Sequence, residues 1–158
     1  MRIGQSTDIH RFKAGRDLVL GGVKIPFELG LDGHSDADVL LHAIIEALIG
    51  AMGKGDIGTH FPDNDDTYLG ISSLILLEKT RDMLRENGYE VVNIDSLILI
   101  QQPKMKPYIP LMRKNIAEVL EIDEDQVNVK ATTGEKMGFV GNMEGVEAQA
   151  VVLIEKRK

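Results

Sequence analysis

The stretch His34-Ser-Asp-Ala-Asp-Val-Leu-Leu-His-Ala-Ile-Ile-Glu-Ala-Leu-Ile-Gly50 predicts a helix that is buried on nearly every side. Ser35 is a favourable N-cap residue, and Asp38 three positions later offers a second acceptor to the free N–H groups of the first turn. The residues from Val39 to Ile49 are apolar apart from two. A glycine-rich segment that starts at Gly50 is predicted to end the helix.

Three polar residues of this stretch, Asp38, His42 and Glu46, are spaced four residues apart. At 3.6 residues per turn, such a row stays on one face of a helix. Polar groups on a buried helix need partners, because an unpaired buried polar group is costly. The sequence leaves open whether those partners are protein groups, a metal ion or a substrate.

Composition limits the classes of function. The chain has 158 residues, of which 43% are hydrophobic and 27% charged, so one domain with a sizeable core is expected. The absence of cysteine excludes disulfides, thiolate zinc sites and thiol nucleophiles. A net charge of −7 argues against nucleic-acid binding. With neither a signal peptide nor a membrane-length apolar run, a cytoplasmic location without membrane contact is expected.

The order of the predicted elements favours an α+β fold in which residues 1–158 form a single domain. The expectation is a mixed, mostly antiparallel sheet covered on one face by three helices, with a small N-terminal β-hairpin turning at Gly21-Gly22. Consecutive strands at both ends of the chain are expected to pair antiparallel. The uncovered face of the sheet makes an oligomer plausible. The predicted helices cover 35–50, 71–87 and 108–120, and the predicted strands cover 2–10, 18–20, 23–25, 90–101, 127–131 and 145–155.

A candidate metal site comes from Asp8-Ile-His10, because residues two apart on a strand point to the same side. His42, a lone histidine on the apolar helix, is the candidate third ligand. Three N/O ligands with one open position are typical of catalytic zinc. The alternative is an ordinary ion pair between Asp8 and His10, with His42 as a hydrogen-bonded core residue.

Several loops carry further candidates, each with an ordinary structural alternative. His34 and Ser35 lie at a helix N-terminus, where an anion is favoured. The segments 56–58 and 61–65 combine glycine with carboxylates that suit sugar or polyol hydroxyls, although an acidic turn would look the same. Thr132, Thr133, Glu135 and Lys136 follow a strand and suit phosphates and a magnesium ion, although a capped turn explains them equally. No pattern indicates a covalent nucleophile.

Taken together, these motifs resemble the 2-C-methyl-D-erythritol 2,4-cyclodiphosphate synthase family of the non-mevalonate isoprenoid pathway over essentially the whole chain. The matching motifs, in order, are Asp8-x-His10, Gly33-His-Ser-Asp-x-Asp38 with His42, Gly55-Asp-Ile-Gly58, Phe61-Pro-Asp63, Gln102-Pro-Lys-Met105, and Val127-Asn-Val-Lys-Ala-Thr-Thr133 with Glu135-Lys136. Each motif alone is weak evidence for the family, but the order and spacing of all of them together are highly specific to it.

The resemblance implies a phosphorus–oxygen lyase that converts 4-CDP-2-C-methyl-D-erythritol 2-phosphate to the cyclic diphosphate and releases CMP. It implies Zn²⁺, or another divalent transition metal, at Asp8, His10 and His42. It implies Mg²⁺ or Mn²⁺ on the substrate diphosphate, held in part by Glu135. His34 and Thr133 match the catalytic positions. A homotrimer with active sites between subunits is expected.

The substrate-binding residues implied by the resemblance fall into an erythritol-binding group, a cytidine-binding group and neighbours of both. They are Asp8, His10, His34, Ser35, Asp56, Ile57, Gly58, Phe61, Pro62, Asp63, Asn64, Asp65, Ile100, Gln101, Gln102, Pro103, Lys104, Met105, Lys106, Ala131, Thr132, Thr133, Gly134, Phe139 and Asn142.

Three positions depart from the family pattern. Gly134 stands where threonine is common, which is expected to loosen the nucleotide loop. Ala37 replaces the usual glycine of the His-Ser-Asp-Gly-Asp motif, and this change is expected to be silent because the first turn of a helix accepts alanine easily. Asn142 replaces an arginine at a central cavity that is thought to take an isoprenoid diphosphate, and so weighs against that ligand here. The rival functions are a zinc-dependent phosphoester hydrolase and a non-catalytic trimer that binds a nucleotide or isoprenoid.

Overall fold

In the computed structural model, which describes residues 1–158, the buried helix forms but begins later than predicted. Helix α1 covers Val39–Met52, and its N-cap is Asp38, whose side chain accepts the N–H of Leu41. The prediction that Ser35 caps this helix is wrong, because its hydroxyl instead accepts the N–H of Ala37 ahead of the helix. The glycine-rich segment that starts at Gly50 does end the helix, as predicted, through Gly53 in the left-handed conformation.

Ala37 lies outside the helix, with a positive φ of 58°. The expectation that alanine is silent here is therefore wrong, because it assumed helical geometry. In the left-handed region a Cβ atom costs about 1–2 kcal/mol, and glycine avoids that cost. Ala37 is also fully buried, so its methyl group recovers part of the cost through packing.

Seven strands form two sheets. They are β1 (Arg2–Ala14), β2 (Leu18–Leu20), β3 (Val23–Ile25), β4 (Leu29–Leu31), β5 (Tyr89–Leu99), β6 (Val127–Thr132) and β7 (Gly145–Lys156). The five-stranded sheet has the order β4-β1-β7-β5-β6, and β2 pairs with β3 in the separate hairpin that the Gly-Gly turn predicts. Only the β5–β6 pair is parallel, so the prediction of a mixed, mostly antiparallel sheet is confirmed.

The pairing at the C-terminal end differs from the prediction. β6 and β7 are consecutive but are not neighbours, because β7 lies between β1 and β5. Helix α4 (Ile109–Leu120) connects β5 to β6, and a helical crossover of this kind joins parallel strands. β7 then pairs antiparallel with both of its neighbours and occupies the centre of the sheet.

The helices lie on one face of the sheet, as predicted. α1 packs on β1 and β7, α3 (Ser73–Glu86) packs on β5, and α4 packs on β6. The closest approach is at Gly4, where an added Cβ would lie 1.9 Å from the carbonyl oxygen of Ala47. The sequence analysis missed strand β4 and two one-turn helices, α2 (Ile57–His60) and α5 (Gly138–Gly141).

The opposite face of the sheet has no cover within this chain. Ile3 is 71% exposed there, and Ile9 and Val151 are 53% and 43% exposed. The strand pairing places these side chains on the same face, because Val151 lies opposite Gln5, an odd-numbered residue of β1 like Ile3 and Ile9. No helix of the structure has the length and apolar character needed to cross a membrane.

Candidate active site

β1 and α1 bring together the three predicted metal ligands. Asp8 and His10 point to the helix-covered side of β1, and His42 faces them from α1. The Nε2 atom of His10 lies 2.9 Å from Oδ2 of Asp8 and 3.3 Å from Nδ1 of His42. The same Oδ2 atom of Asp8 lies 3.2 Å from Nδ1 of His42. In a tetrahedral zinc site with bonds of about 2.0–2.1 Å, ligand atoms are separated by roughly 3.3 Å. The three donor atoms could therefore hold one such ion.

Each of the two histidines has its other ring nitrogen occupied. Nδ1 of His10 donates to the backbone oxygen of Asp32 at 2.6 Å, and Nε2 of His42 lies 2.9 Å from the hydroxyl of Ser73. These partners leave Nε2 of His10 and Nδ1 of His42 as the ring nitrogens that face Asp8. Partners of this kind orient metal-binding histidines and fix their tautomers.

The electrostatics of the triad favour an ionised Asp8 next to a protonated His10. Burial alone would raise the pKa of the Asp8 carboxyl, but the hydrogen bonds and charges of His10 and His42 outweigh burial and hold that pKa well below its usual range. Burial works to lower the pKa of His10, yet its hydrogen bond and attraction to Asp8 raise it above the ordinary value. A divalent cation bound here would replace the proton on histidine, because a metal ligand must be the neutral imidazole.

A cleft of about 330 Å³ opens beside the triad. His10 and His42 form its floor, and the erythritol-binding group predicted from the family resemblance contributes much of its wall. The lining residues among the predicted ones are His10, His34, Ser35, His42, Ile57, Gly58, Phe61 and Asp63. Gly33, the first residue of the motif that ends at Asp38, also lines the cleft, and so do Tyr68 and Leu76, which were not predicted.

Hydrogen bonds hold the loop above this cleft in place. Nε2 of His34 lies 2.9 Å from the backbone oxygen of Asp65, and the carbonyl of His34 accepts the N–H of Gly70 at 2.8 Å. Asp56 caps α2 by accepting the N–H of Thr59, and Glu46 accepts the N–H of Ile57 at 3.3 Å. The fixed loop leaves the exposed carboxylate of Asp63 facing the cleft.

A second cleft, of about 340 Å³, contains the cytidine-binding group predicted from the resemblance. The side-chain oxygen of Gln101 accepts the N–H groups of Gly134 and Lys136 and so shapes the loop after β6. Thr133 Oγ1 accepts the N–H of Glu135 at 3.2 Å, which leaves the hydroxyl hydrogen of Thr133 free to donate. The predicted residues that line this cleft are Ile100, Gln101, Pro103, Lys104, Met105, Lys106, Ala131, Thr132 and Thr133.

One chain does not bring all the predicted site residues together. The two clefts share no lining residue, so His34 and Thr133 lie in different clefts. Glu135 is exposed and lines neither of them. Phe139 lines a small hollow of about 170 Å³ next to Ile9 and His10. Asn142 is exposed at the end of α5.

Three residues around the metal triad were missed by sequence reasoning. Asp32 acts through its backbone oxygen, which no sequence pattern reveals. Ser73 follows Ser72, the N-cap of α3, and a serine is common at the start of a helix. Asp36 belongs to the quoted His34-Ser-Asp motif, but the contact of its side chain with Ser73 was not predicted.

Comparison with known proteins places this arrangement in a family. The YgbB family model matches residues 1–155.

The chain belongs to the YgbB family.

A curated relative from Clostridium perfringens, a 2-C-methyl-D-erythritol 2,4-cyclodiphosphate synthase, is 56% identical over 156 residues, which are 99% of this chain and 100% of the relative. Among YgbB-like solved structures, the bifunctional IspDF of Campylobacter jejuni matches with a TM-score of 0.94 and 42% identity, over 98% of this chain and 42% of that one. The Plasmodium falciparum IspF in complex with CDP matches with a TM-score of 0.87 and 38% identity, over 99% and 97% of the two chains.

Proposed function

We propose that this chain is a 2-C-methyl-D-erythritol 2,4-cyclodiphosphate synthase. It converts 4-CDP-2-C-methyl-D-erythritol 2-phosphate to the 2,4-cyclic diphosphate and releases CMP. The observation that carries the proposal is the full-length relative of that name at 56% identity. The Asp8, His10 and His42 triad and the CDP-bound Plasmodium structure add support.

The reaction is an intramolecular phosphoryl transfer. An oxygen of the 2-phosphate attacks the β-phosphorus and forms a new P–O bond, while the bond from the β-phosphorus to the bridging oxygen breaks. CMP leaves with that electron pair, and an eight-membered ring closes. The nucleophile belongs to the substrate, which explains why the protein needs none. Catalysis then consists of positioning and charge stabilisation.

The chain's own residues divide these tasks. Thr133 has a free hydroxyl hydrogen with which it donates to the diphosphate. Asp63 accepts from the erythritol hydroxyls in the first cleft. His34 uses Nδ1 toward the substrate, because its Nε2 is held by Asp65.

The metal residues have separate roles. Asp8, His10 and His42 hold a zinc ion, and Glu135 recruits Mg²⁺ or Mn²⁺ to the diphosphate. When bound, these cations neutralise phosphate charge that an acidic protein would otherwise repel. The three zinc ligands converge within 3.3 Å of one another, which fits such an ion.

A homotrimer with active sites between subunits is part of the proposal. Two features support it: the predicted cytidine and erythritol residues lie in two separate clefts of one chain, and the open face of the sheet exposes Ile3, Ile9 and Val151. A neighbouring copy that covers this face could bring its second cleft to the first cleft of this chain. Light scattering at micromolar concentration tests the assembly, and a fully active monomer would refute it.

The test of the activity is incubation with the CDP-linked substrate, followed by phosphorus NMR of the products. A cyclic diphosphate with one equivalent of CMP is expected. Release of inorganic phosphate would instead identify a phosphoester hydrolase that uses the same triad. His42→Ala should lose bound zinc and activity, whereas His60→Ala, which removes an exposed bond to the Lys54 carbonyl, should keep both. Full zinc occupancy in His42→Ala would contradict the metal site.

A further inference from the structure

Ser73, a fully buried serine, lies against the metal-binding histidine of α1. Its hydroxyl is 2.9 Å from Nε2 of His42, on the side of the ring opposite the metal-facing Nδ1. The same hydroxyl contacts a carboxylate oxygen of Asp36. The three groups therefore form a chain from carboxylate to hydroxyl to imidazole that ends at the metal triad.

The hydrogens of this hydrogen-bonded series, Asp36 to Ser73 to His42, have only one consistent arrangement. A carboxylate can only accept, so the Ser73 hydroxyl must donate its single hydrogen to Asp36. Its oxygen is then left to accept, and the hydrogen it accepts is the one on Nε2 of His42. That arrangement places a hydrogen on Nε2, so the neutral ring that binds a metal has its lone pair on Nδ1, which faces Asp8 and His10.

Asp36 is itself held in place by backbone groups. One carboxylate oxygen accepts the N–H of Ser73 at 3.0 Å, and the other accepts the N–H of Asp38 at 3.1 Å. The N–H of Asp36 donates to the carbonyl of Ile71 at 3.1 Å. These contacts join the segment before α1 to the segment before α3, so the carboxylate has little freedom to turn away from Ser73.

Ser35 also lies 3.1 Å from Nε2 of His42, but it cannot fix the tautomer in the same way. Its oxygen accepts the N–H of Ala37 at 3.3 Å, and no carboxylate contacts its hydroxyl. The Ser35 hydroxyl hydrogen is therefore free to turn toward the ring or toward the cleft. Only Ser73 has its hydrogen committed elsewhere.

We infer that Asp36 and Ser73 are positioning residues that set the tautomer and orientation of His42 and thereby strengthen metal binding at Asp8, His10 and His42. The inference rests on the metal site of the proposed function. Partners of a metal-binding histidine typically change metal affinity by about 10- to 100-fold when they are removed. Neither residue lines either cleft or belongs to the metal triad, so both act through His42.

The matched test compares Ser73→Ala with Ser72→Ala. Both variants remove one hydroxyl from the start of α3, but Ser72 caps the helix through the N–H of Leu74 and does not contact His42. The zinc affinity of the metal-free proteins is measured by competition with a chromogenic chelator. Ser73→Ala should bind zinc about 10-fold or more weakly than the parent protein, and Ser72→Ala should bind it as tightly as the parent. Equal affinity in all three proteins would overturn the inference.

A second readout does not need the metal. Nitrogen-15 NMR of the metal-free protein reports whether Nε2 of His42 carries a hydrogen. The parent protein and Ser72→Ala should show a fully protonated Nε2, and Ser73→Ala should show a partly unprotonated one, because Asp8 favours the hydrogen on Nδ1. A fully protonated Nε2 in Ser73→Ala would overturn the inference. If Ser73→Ala does not fold, Asp36→Ala takes its place, since it removes the acceptor that fixes the direction of the Ser73 hydrogen.

The outcomes also separate this inference from the proposed function. A parent protein that binds no zinc would refute the metal site itself. A parent protein that binds zinc, with unchanged affinity in Ser73→Ala, would refute only the roles of Ser73 and Asp36.

Discussion

The carboxylate of Asp38 accepts the backbone N–H of Gly22 at 2.7 Å, so the N-cap of α1 also holds the turn of the β2–β3 hairpin. The same side chain accepts the N–H groups of Gly21 and Leu41, each at 3.0 Å. It is completely buried. Asp38 thus accepts three backbone N–H groups, two from the turn of the β2–β3 hairpin and one from the first turn of α1.

Asp38→Ala should be far more destabilising than the loss of an ordinary cap. It leaves three N–H groups without their partner, and each buried unsatisfied group costs about 1–3 kcal/mol. We expect a loss of at least about 3 kcal/mol in the free energy of unfolding, measured by urea denaturation. Ser72→Ala, which removes the cap of the equally long helix α3, should cost only about 1 kcal/mol. Equal losses would show that the hairpin contacts add nothing.

Asp38 should also make stability depend on pH. Burial and the nearby charge of Asp36 raise its pKa from 3.8 to about 6, against the opposing effect of the three N–H donors. The folded state therefore binds the proton more tightly than the unfolded state. The stabilisation is fully present below pH 3.8 and is lost as the pH rises through about 6.

The measurement is the difference in unfolding free energy between the parent protein and Asp38→Asn, which has no proton to bind at this position. This difference should fall by up to about 3 kcal/mol between pH 4 and pH 7. Since the other carboxylates are common to both proteins, their titration cancels. A difference that stays constant over this range would mean that Asp38 is ionised throughout.

Gly4 and Gly50 should respond in opposite ways to alanine. An added Cβ at Gly4 would lie 1.9 Å from the Ala47 carbonyl and 2.8 Å from the Ala51 nitrogen, so β1 and α1 would have to separate. Gly4→Ala should cost about 3 kcal/mol or more. At Gly50, inside α1 and exposed, an added Cβ meets nothing within 4 Å, and alanine should stabilise by about 0.5–1 kcal/mol. Thermal unfolding of Gly4→Ala and Gly50→Ala tests both expectations. A small loss of stability in Gly4→Ala would contradict the close packing of β1 against α1.

Kinetics should separate the residues that act on the diphosphate from the residue that binds the polyol. Charge shifts onto the β-phosphate oxygens and then onto CMP during the reaction, so Thr133→Ala and Glu135→Gln should lower kcat. Loss of one transition-state donor typically costs about 10²-fold or more. Asp63→Ala should mainly raise KM, because the hydroxyls it binds are the same before and during the reaction.

Magnesium provides the control for these variants. Excess Mg²⁺ should partly restore Glu135→Gln, which has lost only the means of recruiting the cation. It should not restore Thr133→Ala, which has lost a hydrogen-bond donor. A Thr133→Ala enzyme with unchanged kcat and a raised KM would show that Thr133 only binds the nucleotide.

Local patterns predicted the elements well, and long-range partners explain the errors. The apolar pattern from Val39 to Ile49 correctly predicted a buried helix, and the i, i+2 spacing of Asp8 and His10 correctly predicted two side chains on one face. The N-cap was misplaced because Ser35 and Asp38 are both good acceptors. What decides between them is the hairpin turn that contacts Asp38, and no local pattern reveals that contact.

The same reasoning applies to the site and to the sheet. Ser73 could not be assigned to the metal site from sequence, because its partners Asp36 and His42 lie more than thirty residues away. The insertion of β7 between β1 and β5 is likewise a matter of tertiary pairing. A pattern of alternating residues predicts a strand but not its neighbours.

The central place of β7 has a consequence for how the protein is made. Arg2 pairs with Ile154, so β1 must wait for β7, the last strand of the sheet to be synthesised, before the middle of the sheet can close. Until then β1 and β5 each expose an unpaired edge, which is the kind of surface that chaperones shield and that drives aggregation. A chain truncated before residue 145 would therefore contain two half-sheets without the strand that joins them.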